Sequence, residues 1–315
     1  MKIFIKIVAL LLVLTTVGAL LAACKDEEPV PNALEGKKVL FIGNSYTYYG
    51  RCVIEKKQSV QKQEYRENDK GYFYQLCKAN GVNVSVTNWT WGGHNLEHLF
   101  GGNCTADRGC DGLDHTKSLK DRYFDYVVIQ EGSGPSGHFH SIIDKVVNLF
   151  KEANPNVQFV LIAHHSNYTS TNANYQEVRA SLKDMSARGM IIADWGRMTT
   201  DIYEGRVQVP GATQTFHKDS FVVHWPGDNY HPNMLTGYIT ALWVYSVITG
   251  ERAEGQPYAF CTDKSISSKF DIDAFVKKYY TEGETNIKEI FSSEADMKGL
   301  QQLIDTYIAR KPYLD

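Results

Sequence analysis

Five short apolar runs, separated by longer stretches of helical character, constrain what this chain of 315 residues can fold into. The runs are Val39–Ile42, Val82–Val86, Tyr126–Ile129, Gln158–Ala163 and Met190–Ala193. Helical stretches near Tyr72–Ala79, Ile142–Ala153 and Tyr175–Arg188 lie between them. A chain returning to the same end of a sheet needs a crossover, and a helix packed on the sheet supplies it. Strands alternating with helices therefore predict an α/β chain: three α/β/α layers around a parallel sheet of about five strands. Met234–Thr249 reads as a further helix, with Pro232 suited to its first turn and Gly250 to its end. The polar stretch from Ile266 to Asp315 predicts helices around Asp273–Tyr280 and Glu294–Ala309. At 43% hydrophobic residues the material for a core is ample, and no internal repeat interrupts it.

The start of the chain concerns address. Lys2 and Lys6 precede an apolar run, Ile7 to Leu21, that ends in Leu21-Ala22-Ala23-Cys24. A basic start, an apolar centre and small residues at the cut describe an export signal over residues 1–23. The run is short and an acidic stretch follows it, which argues against a membrane-spanning anchor. Leu21-Ala22-Ala23-Cys24 resembles the lipobox of bacterial lipoproteins, and the resemblance implies that the Cys24 thiol receives lipid. An ordinary secretory signal with an unrelated cysteine is the alternative. Lys25-Asp26-Glu27-Glu28 resembles the tag that sends Bacteroides-type lipoproteins to the surface of the outer membrane. Residues 24–36 then read as an acidic, proline-containing tether, and residues 37–315 as the folded domain with a C-terminal helical extension. Loss of Lys2 and Lys6 with the signal takes the formal charge from −3 to −5. Neither value, without a basic cluster, suggests a nucleic-acid partner.

With Cys24 assigned to lipid, Cys52, Cys77, Cys104, Cys110 and Cys261 remain, so at least one has no intramolecular disulfide partner. Cys104 and Cys110 bracket the polar segment Thr105-Ala106-Asp107-Arg108-Gly109, a candidate small disulfide loop in an exported protein. No CxxC or HExxH spacing supports a metal, and none is expected.

Chemistry concentrates at strand ends. Ser45 follows the first strand in Gly43-Asn44-Ser45, Gly92-Gly93 follows the second, and Gln130 follows the third. In open parallel sheets ligands bind beyond the carboxyl ends of the strands, so these groups converge on one edge. Far downstream, Gly227-Asp228-Asn229-Tyr230-His231-Pro232-Asn233 places a carboxylate three residues before a histidine. An unassisted serine hydroxyl is a poor nucleophile; it needs a base within hydrogen-bond reach and an orienter for that base.

These blocks in this order, from about residue 37 to 250, resemble the SGNH/GDSL hydrolase superfamily. The resemblance implies a flavodoxin-like strand order and a cofactor-free serine esterase. It implies that Ser45 is the nucleophile, His231 the base and Asp228 the orienter. It also implies an oxyanion site made by the backbone N–H groups of Ser45 and Gly93. Asn88-Trp89-Thr90-Trp91-Gly92-Gly93 matches the second block, and Gly93 fits its glycine better than Gly92. The third block departs from the pattern: Gly-x-Asn-Asp is replaced by Val128-Ile129-Gln130-Glu131-Gly132-Ser133. A glutamine amide has the same donor chemistry on a longer stem, and related carbohydrate esterases have a similar Gln-Gly-Glu-like turn. Gln130 is therefore the expected third donor and Ser133 the fallback, with Glu131 structural. His164 and His165, after the fourth strand, are candidates to touch substrate; His224 and Trp225 are candidates to wall the pocket. Gly101 to Lys120 is a candidate lid, and a minority of the 19 tyrosines are candidates for a sugar-binding surface. A surface lipoprotein of this type resembles glycan-processing accessories, so the expected reaction removes O-acetyl groups from a glycan. A lipid or thioester hydrolase is the alternative within the class, and a retired hydrolase that binds glycan without cutting it is the alternative outside. The intact Ser45, Asp228 and His231 argue against retirement.

Overall fold

The computed structural model describes residues 31–54, 64–101, 115–130, 142–164, 171, 173–222, 231–258 and 293–314. Cys24, Cys104, Cys110, Glu131, Ser133, His165, His224, Trp225, Asp228, most of the Gly101–Lys120 segment and the expected helix Asp273–Tyr280 lie outside the described residues.

Six strands form one sheet: β1 (Lys38–Gly43), β2 (Glu64–Glu67), β3 (Ser85–Thr90), β4 (Tyr126–Gln130), β5 (Gln158–Ile162) and β6 (Ile191–Ala193). Their spatial order is β2-β3-β1-β4-β5-β6. Five are parallel, and β2 pairs antiparallel with β3 at the edge. Numbered along the chain, the parallel strands run 2-1-3-4-5, the flavodoxin-like order. Val-Leu-Phe-Ile in β1 is continuously apolar because both its faces are covered. Val39 and Phe41 point into one layer, Leu40 and Ile42 into the other.

The first layer holds α2 (Tyr72–Ala79), α6 (Trp195–Tyr203), α7 (Met234–Thr249) and α8 (Glu294–Arg310); α1 (Ser45–Tyr48) opens the chain's first crossover. The second layer holds α3 (Leu96–Phe100), α4 (Ile143–Ala153) and α5 (Ala173–Ala187). Phe41 meets Phe73 of α2 edge to face at 5.2 Å, and burying each such ring contributes about 1.5–3 kcal/mol. Helix α7 is buried almost all round, so its sequence is apolar on every face instead of carrying a stripe. Asn233 caps it by accepting from the Thr236 N–H at 3.0 Å, and Gly250 ends it in the left-handed region.

The sheet has the five parallel strands expected, and the bounds of one of them are corrected. The second strand is Ser85–Thr90, not Val82–Val86: the Val82 N–H is taken by the Cys77 carbonyl at the end of α2, and the ladder to β1 starts at Ser85. Val82 and Val84 are buried in the lead-in, which made that segment resemble a strand. The sheet also gains β2, whose Glu-Tyr-Arg-Glu sequence lacks an apolar run because an edge strand tolerates charge. Helix α6 has no sequence signature of comparable strength; it is fixed by buried charge. Asp194 caps it, accepting from the Arg197 N–H at 3.3 Å, and pairs with Arg179 of α5 at 2.6 Å. Burial pushes the Asp194 carboxyl up, and the Arg179 guanidinium opposes that. Two turns on, Asp201 accepts from Arg197, Arg206 and the Tyr307 hydroxyl of α8. Burial works against its ionisation, but those three donors outweigh it and hold Asp201 below the usual carboxylate range.

Candidate active site

The register places the ends of β1, β3 and β4 side by side. Gly43 faces Thr90 across one ladder, and Ile42 faces Ile129, one residue before Gln130, across the other. Immediately after β1 the chain turns into α1, with Ser45 at its first position. Asn44 caps this short helix: its side-chain oxygen accepts from the Tyr46 N–H at 3.0 Å, while its Nδ2 donates to the His94 carbonyl at 2.7 Å. The turn is thereby tied to the loop after β3. It is also tied to β4, because Gln130 Oε1 accepts from the Asn44 N–H at 3.2 Å and from Thr47 Oγ1 at 3.1 Å. This close approach explains Gly43. A Cβ there would lie 2.2 Å from Thr47 Oγ1 and 2.9 Å from Gln130 Oε1. Ser45 itself is 7% exposed, largely shielded from water yet reachable at the strand edge.

His231 lies 186 positions further along the chain and meets the serine: its Nε2 lies 2.7 Å from Ser45 Oγ. Pro232 bridges to Val222, the Asn233 N–H donates to the Phe221 carbonyl, and the Asn233 side chain donates to the Ser220 carbonyl. His231 is therefore the last residue before a braced helix start. The imidazole stacks on Tyr49 at 4.2 Å with a 15° interplanar angle, and Tyr46 packs tilted at 5.2 Å. The turn that follows α1 and the first turn of α7, the helix that His231 precedes, approach backbone to backbone. A Cβ on Gly50 would lie 2.1 Å from the Asn233 carbonyl oxygen, and one on Gly237 would lie 1.8 Å from the Gly50 carbonyl oxygen.

The loop after β3 carries Gly93, exposed, at φ +74, with no atom within 4 Å of where a Cβ would sit. The Trp91 N–H donates to the Gly43 carbonyl at 3.0 Å, which extends the β1–β3 ladder to the start of this loop. His94 holds the turn through its Nδ1 and the Gly92 carbonyl at 2.7 Å, and stacks on the Trp91 ring at 3.7 Å. Gln130 is 1% exposed. With its oxygen held by Asn44 and Thr47, its Nε2 faces His164 Nε2 at 3.1 Å. His164 in turn stacks on Tyr46 at 4.0 Å.

Several of these residues escaped the sequence reading. Tyr46, Thr47 and Tyr49 follow the serine directly, and that run of aromatic and hydroxyl groups was a usable signal. Asn44 and His94 had none, since their roles depend on a contact 50 positions away. Among the described residues, no group of three or more His, Cys, Asp or Glu is placed to hold a metal ion. Cys52 and Cys77 are free and buried, and burial pushes the Cys77 thiol up to about 12, so neither is a nucleophile at neutral pH.

No protein-family model and no curated protein matches this chain. Solved structures do. An acetylxylan esterase from Geobacillus stearothermophilus is similar at 16% identity and a TM-score of 0.45, over 70% of this chain and 98% of that one. A carbohydrate esterase family 2 enzyme with a carbohydrate-binding domain, from Corynascus thermopiles (Myceliophthora fergusii), is similar at 16% identity and a TM-score of 0.40, over 71% and 68%. A protein described as a possible lipase, from Chitinophaga pinensis, is similar at 13% identity and a TM-score of 0.40, over 67% and 97%. Likenesses this distant assign no family.

Proposed function

We propose that this protein is a serine esterase in which Ser45 is the nucleophile and His231 the general base. The observation that carries the proposal is the 2.7 Å contact between His231 Nε2 and Ser45 Oγ, made between residues 186 positions apart at the carboxyl edge of the sheet. A base at that distance can take the hydroxyl proton as Oγ attacks an ester carbonyl. The imidazolium then protonates the departing alcohol, leaving an acyl group on Ser45. Water, deprotonated by the same nitrogen, attacks the acyl carbon, and the proton returns to Ser45 as the acid leaves. Asp228 is the proposed partner of His231 Nδ1–H, holding the tautomer in which Nε2 is free to accept. The Ser45 and Gly93 N–H groups and the Gln130 amide are the proposed oxyanion donors.

The proposed substrate is an O-acetyl group on a glycan. Tyr49 and Trp91, both half-buried beside the strand edge, offer aromatic surface suited to a sugar ring, and the lipobox-like start suggests a protein displayed to external polymers. Residues 25–315 should hydrolyse p-nitrophenyl acetate and release acetate from acetylated glycans faster than from acetylated glycerol or lipids. Equal rates on all three would remove the glycan assignment; no turnover of any ester would remove the esterase. The full-length chain should partition with membranes when expressed with its leader, and Cys24→Ser should release it. A Cys24→Ser protein that stays in the membrane fraction would exclude the lipid anchor.

A further inference from the structure

The esterase proposal assigns no role to His164, yet His164 makes the contact that orients the Gln130 side chain. Which end of that amide faces which way is decided by a backbone group. The Asn44 N–H is a fixed donor 3.2 Å from one end of the amide, so that end must be the oxygen. The nitrogen is then the atom 3.1 Å from His164 Nε2, and two N–H donors cannot share that contact. His164 must therefore accept at Nε2 and carry its hydrogen on Nδ1. Turning the amide over would only move the donor–donor conflict to Asn44. The ring is held in place by the Tyr46 stack at 4.0 Å and, more loosely, by Trp195 at 6.5 Å.

We infer that His164 is a positioning residue for the proposed reaction: by accepting one amide hydrogen of Gln130, it sets the tilt at which the second is presented to the developing oxyanion. An amide NH2 is planar, so fixing one N–H direction fixes the other about 120° away. The inference rests on the esterase reading, but the tautomer it demands does not. Protonating His164 would put two donors in the Gln130 contact and release the amide. Among the described residues its ring neighbours are Tyr46 of α1 and Trp195 of α6, and its hydrogen-bond partner is Gln130 of β4. Of these only Tyr46 is titratable, and it presents its ring face.

The test is a double-mutant cycle on p-nitrophenyl acetate with an NMR readout beside it. Gln130→Ala should lower kcat about 10²–10³-fold as a lost oxyanion donor. His164→Leu, which keeps bulk but cannot accept, should lower kcat about 10-fold with KM nearly unchanged, as loss of one hydrogen bond allows. His164→Gln, whose carbonyl can accept, should recover most of that loss. In the Gln130→Ala background, His164→Leu should have almost no further effect; a full additive loss would overturn the inference. The acid limb of kcat against pH should contain an ionisation that His164→Gln removes, and an unchanged limb counts against the inference. Nitrogen-15 NMR of the wild type near neutral pH should show His164 protonated at Nδ1, with the tautomers mixing in Gln130→Ala. A His164 protonated at Nε2 would sink the inference even in a chain with no esterase activity, whereas an inactive wild type with the Nδ1 tautomer would sink only the esterase reading.

Discussion

His231→Ala and Ser45→Ala are each expected to lower kcat for p-nitrophenyl acetate by about 10⁴–10⁶-fold, with KM little altered. In the proposed mechanism hydroxyl and imidazole act as one unit: without the base, Oγ remains a neutral alcohol, and without Oγ the imidazole has nothing to deprotonate. The double variant should therefore be no slower than either single one. Any residual rate would belong to the proposed oxyanion donors and to binding, which both variants keep. Asp228→Asn should be milder if Asp228 is the proposed orienter, since an amide in its place would favour the wrong tautomer but leave Ser45 and His231 intact. Ser45 makes its hydrogen bond at 2.7 Å without filling a core position, so these substitutions should leave the melting temperature within a few degrees of the wild type. A Ser45→Ala protein that turns over at more than a tenth of the wild-type rate would exclude Ser45 as the nucleophile.

The second large effect is structural and sits beneath the first. Gly237→Ala should destabilise the fold by about 3 kcal/mol or more, because its Cβ would lie 1.8 Å from the Gly50 carbonyl oxygen. Both contacting atoms are backbone or fixed to it, so no side chain can swing away. Relief requires α7 to move off the turn that follows α1, and that movement separates His231 from Ser45. Activity should fall with stability. Gly250→Ala is the control: it caps the far end of the same helix, at φ +74, and meets no atom within 4 Å. Its cost is the left-handed backbone alone, about 1 kcal/mol. At about 2–4 °C per kcal/mol for a domain of this size, the two variants should melt several degrees apart. Equal melting temperatures, or a fully active Gly237→Ala, would show that the helix contact does not hold the two residues together.

The order of layers was legible because it rests on local pattern. Val39–Ile42, Tyr126–Ile129 and Gln158–Ala163 fall on β1, β4 and β5 with an end residue or two in error, and α2 and α7 have the bounds expected of them. Residues buried on both faces of a parallel strand are apolar without interruption, and a buried helix between Pro232 and Gly250 is punctuated at both ends. The pattern failed where burial and pairing part company. Val82 and Val84 are buried without entering the sheet, while Asn88 and Thr90 enter it without being apolar.

Ser45 and His231 were candidates from sequence, because a serine in the turn after an apolar strand and a histidine three residues after an aspartate are local features, and their roles came from the resemblance of those blocks to a known superfamily. Their separation is not a local feature. It depends on two glycines, Gly50 and Gly237, that let α7 touch the turn after α1, and neither stands out in a linear reading. Gln130 shows the same division. Its chemistry as an amide donor was readable, but its orientation comes from the Asn44 N–H on one side and His164 on the other. Residue type and periodicity are properties of consecutive positions. Which hydrogen a glutamine offers, and to what, is decided by partners 34 and 86 positions away, brought within reach only when the strands have paired and the layers have closed.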